Sequence, residues 1–199
     1  MDSLAPIMII VFLSNVVESV AGFGATILAL TLGARFFPIE ELIPILVPLN
    51  VLLSAYIVLT YRRDINWHLL KTRILPFTLI GMPIGIWIFR MAPGASLKLA
   101  FGVIVVSLGV FELVRGLQTQ RTEPKPLGIL GSAGFLIAGG IMQGLYASGG
   151  PFVVYYFSRT VKEKAAFRTT LSFLWLVLNI LLTFSLVQGA QINSYTLQF

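Results

Sequence analysis

The sequence predicts an all-α, polytopic membrane protein made of inverted repeats, the second of them incomplete. Three observations carry this. Apolar residues make up 57% of the chain and charged ones only 11%, which excludes an ordinary soluble domain. Apolar runs at 4–21, 25–36, 42–61, 74–90, 97–115, 127–146, 152–158 and 169–188 include several long enough to cross a bilayer. Glycines break the apolar pattern twice, at Ala21-Gly22-Phe23-Gly24-Ala25-Thr26 and at Ala147-Ser148-Gly149-Gly150-Pro151-Phe152. Irregular backbone at membrane depth is tolerated only where protein buries it or where it lines a polar cavity.

The first run follows Met1-Asp2-Ser3, which lacks the basic region of a cleavable signal peptide, and is read as mature protein. After the first break, Ala25 to Phe36 gives roughly 18 Å of helix, too short for a hydrocarbon core about 30 Å thick. The runs 42–61, 74–90 and 97–115 are full spans. Basic loops orient them: Arg62, Arg63, Lys71 and Arg73; then Arg115, Arg121 and Lys125; then Arg159, Lys162, Lys164 and Arg168. With these loops cytoplasmic, 42–61 runs inward, 74–90 outward and 97–115 inward. The Pro38-to-Glu41 turn, with Arg35 nearby, then lies outside and the Pro124 linker inside.

If each broken element crossed once, the third basic loop would land outside. If each leaves on the side it entered, all three fall inside. The Arg90–Lys98 loop is the exception, with modest positive charge outside. The stretch after the second break, Pro151 to Ser158, is shorter still than the first. Both stretches are therefore read as half-helices of hairpins that turn near the midplane.

A broken hairpin plus three spans crosses the membrane an odd number of times, so a second copy is inverted. Placing Gly22 over Gly149 also puts Leu49 on Leu176, Leu59 on Leu186 and Ile65-Asn66 on Ile192-Asn193 without a gap. On that register Phe199 corresponds to Thr72. The organisation expected is one membrane domain over 1–199, with a first repeat at 1–120 and an incomplete second repeat at 127–199. On this register two C-terminal spans are expected to be missing or to come from another chain.

Half-helices starting near Ala25 and Pro151 expose amides without intrahelical partners, with the positive dipole end at the same place. Pro151 suits a first helical position, where no donor is needed. In an inverted repeat the two starts approach from opposite sides of the membrane. They make an anion site without a lysine or arginine at depth. The substrate-binding residues expected are Gly22, Gly24, Ala25, Thr26, Ser148, Gly149 and Gly150, with Asn50 and Asn179 at nearly equivalent places in the two copies. Gly22, Gly24, Gly149 and Gly150 free the backbone, while Thr26 and Ser148, and also Ser19, offer hydroxyls. For Gly81/Gly85 and Gly140/Gly144 close helix packing is the preferred reading.

Glu18 is the one carboxylate well inside an apolar run, near a helix end whose dipole disfavours negative charge. It is the proton-coupling candidate, with a hydrogen-bonded structural glutamate as the equal alternative. Asn15, Asn50, Gln143 and Asn179 are polar positions within spans that can bond the unwound backbone or substrate, although interhelical hydrogen bonding is the commoner role. Pro44, Pro48, Pro76 and Pro83 are expected kinks.

Catalytic constellations are lacking. His68, the sole histidine, lies beside Trp67 in a loop, there is no cysteine, and no metal spacing, P-loop or dinucleotide fingerprint occurs. Neither an enzyme nor a cofactor or metal is expected. The net charge of +6 resides in loops, where it sets topology and meets anionic lipid rather than nucleic acid.

The segments Glu18-Ser-Val-Ala-Gly-Phe-Gly-Ala25, Ser148-Gly-Gly-Pro-Phe-Val-Val154 and Arg168-Thr-Thr-Leu-Ser-Phe173, the last leading into the span with Asn179, resemble the sulfite exporter TauE/SafE family. The resemblance covers nearly the whole chain. Members are typically longer by about two spans, in keeping with the incomplete repeat. Their first motif usually has more consecutive glycines, whereas here Ala25 and Thr26 follow Gly24. The resemblance implies export or uptake of small anions, often sulfite or organosulfonates, without ATP.

The function expected is therefore a secondary transporter working by alternating access at a midplane site. It would lie in the inner membrane of a bacterial or archaeal cell, with a small anionic substrate and the lipid bilayer as partners and a homo-oligomer left open. A channel-like anion pathway is the near alternative, and a non-transporting membrane scaffold or accessory subunit the distant one.

Overall fold

Backbone surrounded by lipid must satisfy its own hydrogen bonds, and the apolar runs do so as helices. The computed structural model describes residues 4–21, 23–117 and 127–188, and no strand occurs among them. In chain order these form α1 (Leu4–Ala21), α2 (Ala25–Gly33), α3 (Ile39–Tyr61), a 3-10 turn (Arg62–Asp64), α4 (Trp67–Leu69), a π turn (Leu70–Ile74), α5 (Leu75–Met91), α6 (Gly94–Leu117), α7 (Ile129–Tyr146), α8 (Gly150–Phe157) and α9 (Lys164–Gln188). Among the described residues, five stretches are long and apolar enough to cross a membrane: Ile39–Asp64, Trp67–Met91, Gly94–Phe111, Ile129–Tyr146 and Lys164–Gln188. The chain is an integral membrane protein.

The two breaks fall where the sequence places them. α2 has 9 residues and α8 has 8, about 12–14 Å of helix each. Neither reaches across a bilayer. The limbs before them are longer: α1 and α7 each have 18 residues, about 27 Å. The hairpins are thus unequal, each a long limb followed by a stub. The expectation at Gly22, the Pro124 linker and the Ile192-Asn193 register point all lie outside the described residues.

Contacts at the helix ends show which segments share an end of the bundle. The Asn66 amide donates to Thr170 Oγ1 at 2.9 Å, and the Arg168 guanidinium lies 5.7 Å from the Tyr61 ring centre. The basic stretches around Arg62 and Arg168 therefore sit together. At the other end, Lys98 Nζ donates to the Ala34 carbonyl at 2.6 Å, and Arg90 Nη2 to the Ser185 carbonyl and hydroxyl at 2.8 and 2.9 Å. A Cβ on Gly94 would collide with the Glu40 carboxylate. The positive charge of the Arg90–Lys98 loop is thereby spent on carbonyls, Lys98 at the C-terminal end of α2, where the dipole favours a cation.

Helices α5 and α7 pack backbone to backbone. A Cβ on Gly81, Gly85, Gly140 or Gly144 would collide with the carbonyl oxygen of Ile137, Ile141, Thr78 or Met82 respectively. This is the close packing expected of small residues on membrane helices. A second apolar layer buries Leu46 and Val47 of α3 and Leu171, Leu174, Leu178 and Leu182 of α9. Leu99, Val103 and Val106 of α6 face outward, as lipid-contacting residues do. Pro44, Pro48 and Pro83 sit inside helices. Pro76, which has no amide to donate, follows the π turn in which the Leu75 amide reaches back to the Leu70 carbonyl.

Candidate functional site

Each break has its own backbone device. At the first, Gly24 adopts φ 105°, a left-handed conformation that costs other residues dearly, and α2 starts at the next residue. At the second, the left-handed residue is Ala147, with φ 51°, and it caps α7. The Ala147 amide donates to the Gln143 carbonyl and the Ser148 amide to the Met142 carbonyl, so the end of α7 is closed. This corrects one expectation. Neither Gly149, whose φ is −70°, nor Gly150 adopts a left-handed backbone; a Cβ on Gly149 would collide with the Gly139 carbonyl, and one on Gly150 would crowd the Phe23 ring.

The two breaks touch. A Cβ on Gly150 would lie 3.3 Å from Phe23 Cδ2. Between them lies a cavity of about 20 Å³, room for one or two water-sized groups. From the starts of the stubs it is lined by Gly24, Thr26, Ile27, Ser148, Gly149 and Gly150. From the longer helices it is lined by Glu18, Asn50, Gln143, Trp175 and Asn179. α2 then runs to the end where Lys98 meets Ala34, while α8 leads into the end where Arg168 and Thr170 sit. The stubs thus start at one cavity and point to opposite ends of the bundle.

The polar side chains form two matched sets. Glu18 Oε2 accepts the Ala25 amide at 3.0 Å, and Gln143 Oε1 accepts the Gly149 amide at 3.0 Å. Each long limb turns one side-chain oxygen onto an amide at the start of its own stub. Asn50 Nδ2 donates to Thr26 Oγ1 at 2.7 Å, and Gln143 Nε2 to Asn179 Oδ1 at 2.7 Å.

The polarity of the second set follows from the backbone. An amide N–H only donates, so Gln143 must offer Gly149 its oxygen. Its NH2 group then faces Asn179, which must answer with its oxygen. The NH2 group of Asn179 is left for the cavity.

Most other groups at the cavity also donate; the acceptors left there are the side-chain oxygen of Asn50 and the second oxygen of Glu18. Leu28 is the first α2 residue to bond back into its helix, to Gly24, and Val153 the first in α8, to Gly149. With Ala25 taken by Glu18, the amides of Thr26, Ile27, Gly150 and Phe152 lack intrahelical partners. Ser148 Oγ is buried with no hydrogen-bond partner. No lysine, arginine or histidine lines the cavity among the described residues, and Glu18 is its only acid. Donors converge here with the positive dipole ends of two stubs, an arrangement whose chemistry suits an anion.

Of the residues singled out from sequence, Gly24, Thr26, Ser148, Gly149, Gly150, Asn50, Asn179 and Glu18 meet at this cavity. Ala25 stands just behind it, giving its amide to Glu18. Ser19 and Asn15 do not join them: the Ser19 hydroxyl bonds the Asn15 carbonyl, and Asn15 bonds that of Val11. Gln143, read from sequence as an interhelical polar residue, proves central. A signal was present, for Glu18 precedes Gly24, and Gln143 precedes Gly149, by the same interval of six residues.

The family model described as "Sulfite exporter TauE/SafE" matches residues 7–198. No curated protein and no solved structure matches the chain. The matched family consists of membrane transporters, not enzymes. With its match running over nearly the whole length of a helical membrane bundle, the chain belongs to the sulfite exporter TauE/SafE family.

Proposed function

We propose that this protein is a secondary transporter that carries a small sulfur oxyanion, sulfite or a sulfonate, by alternating access at the cavity between α2 and α8. The observation that carries the reading is that two stubs of 9 and 8 residues begin at one cavity and diverge to opposite ends. An anion there meets amides from both sides, together with the donors of Ser148 and Asn179. Each hydrogen bond to a charged group stabilises by about 1.5–3 kcal/mol, and several are needed to offset dehydration of the anion.

In this reading α1–α2–α3 and α7–α8–α9 are the corresponding parts of two inverted repeats, within 1–120 and 127–199. Rocking one unit against the other opens the cavity first along one stub and then along the other. Glu18, the only acid at the site among the described residues, links the cycle to protons.

The test is flux of sulfite and of methanesulfonate into proteoliposomes that hold the purified chain and no ATP. The account expects saturable uptake of at least one of them, absent from protein-free vesicles. A scaffold or accessory subunit would move neither.

A further inference from the structure

We infer that the cavity takes the singly charged form of its substrate, hydrogensulfite or a sulfonate, and turns away the doubly charged form. The inference rests on reading this cavity as the transport site. Its ground is what the cavity lacks and what it offers. Among the described residues, no cationic side chain lines it, and the positive potential comes only from amide, hydroxyl and carboxamide dipoles.

Two helix starts supply partial charges of about half an elementary charge each, roughly one in total. The cost of dehydrating an ion grows with the square of its charge, whereas its attraction to fixed dipoles grows only in proportion. Doubling the charge therefore raises the cost about fourfold and the return about twofold.

The acid at the site works in the same direction. Among the described residues, Glu18 is the only titratable group facing the cavity; Thr26 of α2, Asn50 of α3, Gln143 of α7, Gly150 of α8 and Asn179 of α9 bring none. Lys162, Lys164 and Arg168 gather instead around Val20, at a separate pocket. An ionised Glu18 would repel a second negative charge more strongly than a first.

Sulfite and methanesulfonate make the test, because one gains a second charge as pH rises and the other stays singly charged. Uptake of each into proteoliposomes is measured at fixed total concentration below saturation, with equal pH on both sides, across the range where hydrogensulfite ionises. Titration of the protein enters both rates, so the readout is their ratio.

The ratio of sulfite to methanesulfonate uptake is expected to fall about tenfold per pH unit above the ionisation of hydrogensulfite. Sulfate, a dianion throughout, is expected to leave both rates unchanged. A ratio that stays flat or rises, or sulfate competing as well as unlabelled methanesulfonate does, overturns the inference while leaving the transport reading intact. No uptake of either sulfur anion at any pH overturns both.

Discussion

Ser148→Ala tests the site through two effects of opposite sign. The Ser148 hydroxyl is buried, 5% exposed, and has no hydrogen-bond partner. Holding a polar group in that state costs about 1–3 kcal/mol. Alanine keeps the shape of the side chain without the hydroxyl, so the empty protein should become more stable by up to about that amount. With an anion bound, the same hydroxyl donates to a charged group, an interaction of about 1.5–3 kcal/mol. Its removal should raise the sulfite KM roughly ten- to hundredfold.

The assay pairs thermal unfolding of the detergent-solubilised protein, with and without sulfite, with uptake kinetics in proteoliposomes. The variant should show a higher Tm when empty, a smaller rise in Tm on adding sulfite, and a higher KM. A variant less stable than the parent when empty would refute the reasoning, as would an unchanged KM.

Three further predictions follow from named contacts. Asn179→Asp keeps the oxygen that answers Gln143 but replaces the donor facing the cavity with a second oxygen; sulfite KM should rise at least tenfold in uptake assays, and an unchanged KM would make Asn179 purely structural. Glu18→Gln keeps an oxygen for the Ala25 amide and removes the titratable proton. Methanesulfonate uptake by this variant should continue but lose the pH dependence of the parent; a retained pH profile would take Glu18 out of coupling. Gly140→Ala drives a methyl group into the Thr78 carbonyl, forcing α5 and α7 apart at a cost of about 1–3 kcal/mol. Its Tm should fall while the preference among anions stays the same, as checked by unfolding and competition uptake.

The parts of this architecture legible in sequence were those set by length and charge. A run of about a dozen apolar residues is too short to span, and three basic loops can share one face only if each broken element returns to its side of origin. Those arguments place α2 and α8, and contacts such as Asn66 to Thr170 and Lys98 to Ala34 agree with them. The packing glycines were legible too, since Gly81 and Gly85, like Gly140 and Gly144, recur at one-turn spacing.

What sequence could not supply was side-chain direction. Gln143 looks like any polar residue in a span until Gly149 and Asn179 are seen on either side of it. Ala147 escaped notice because alanine seldom adopts positive φ, and only the surrounding packing holds it there. The unequal limbs were also hidden, because the apolar run of α7 is as long as a true span whether or not a stub follows.

Selenite, a heavier relative of sulfite, gives the most direct measurement: the position of its anomalous scattering in crystals of the protein. The account predicts one peak between the Thr26 and Ile27 amides on one side and the Gly150 and Phe152 amides on the other, within hydrogen-bond reach of Ser148 Oγ. A peak confined to the basic ends of the bundle, with none at the meeting of the two stubs, would contradict it.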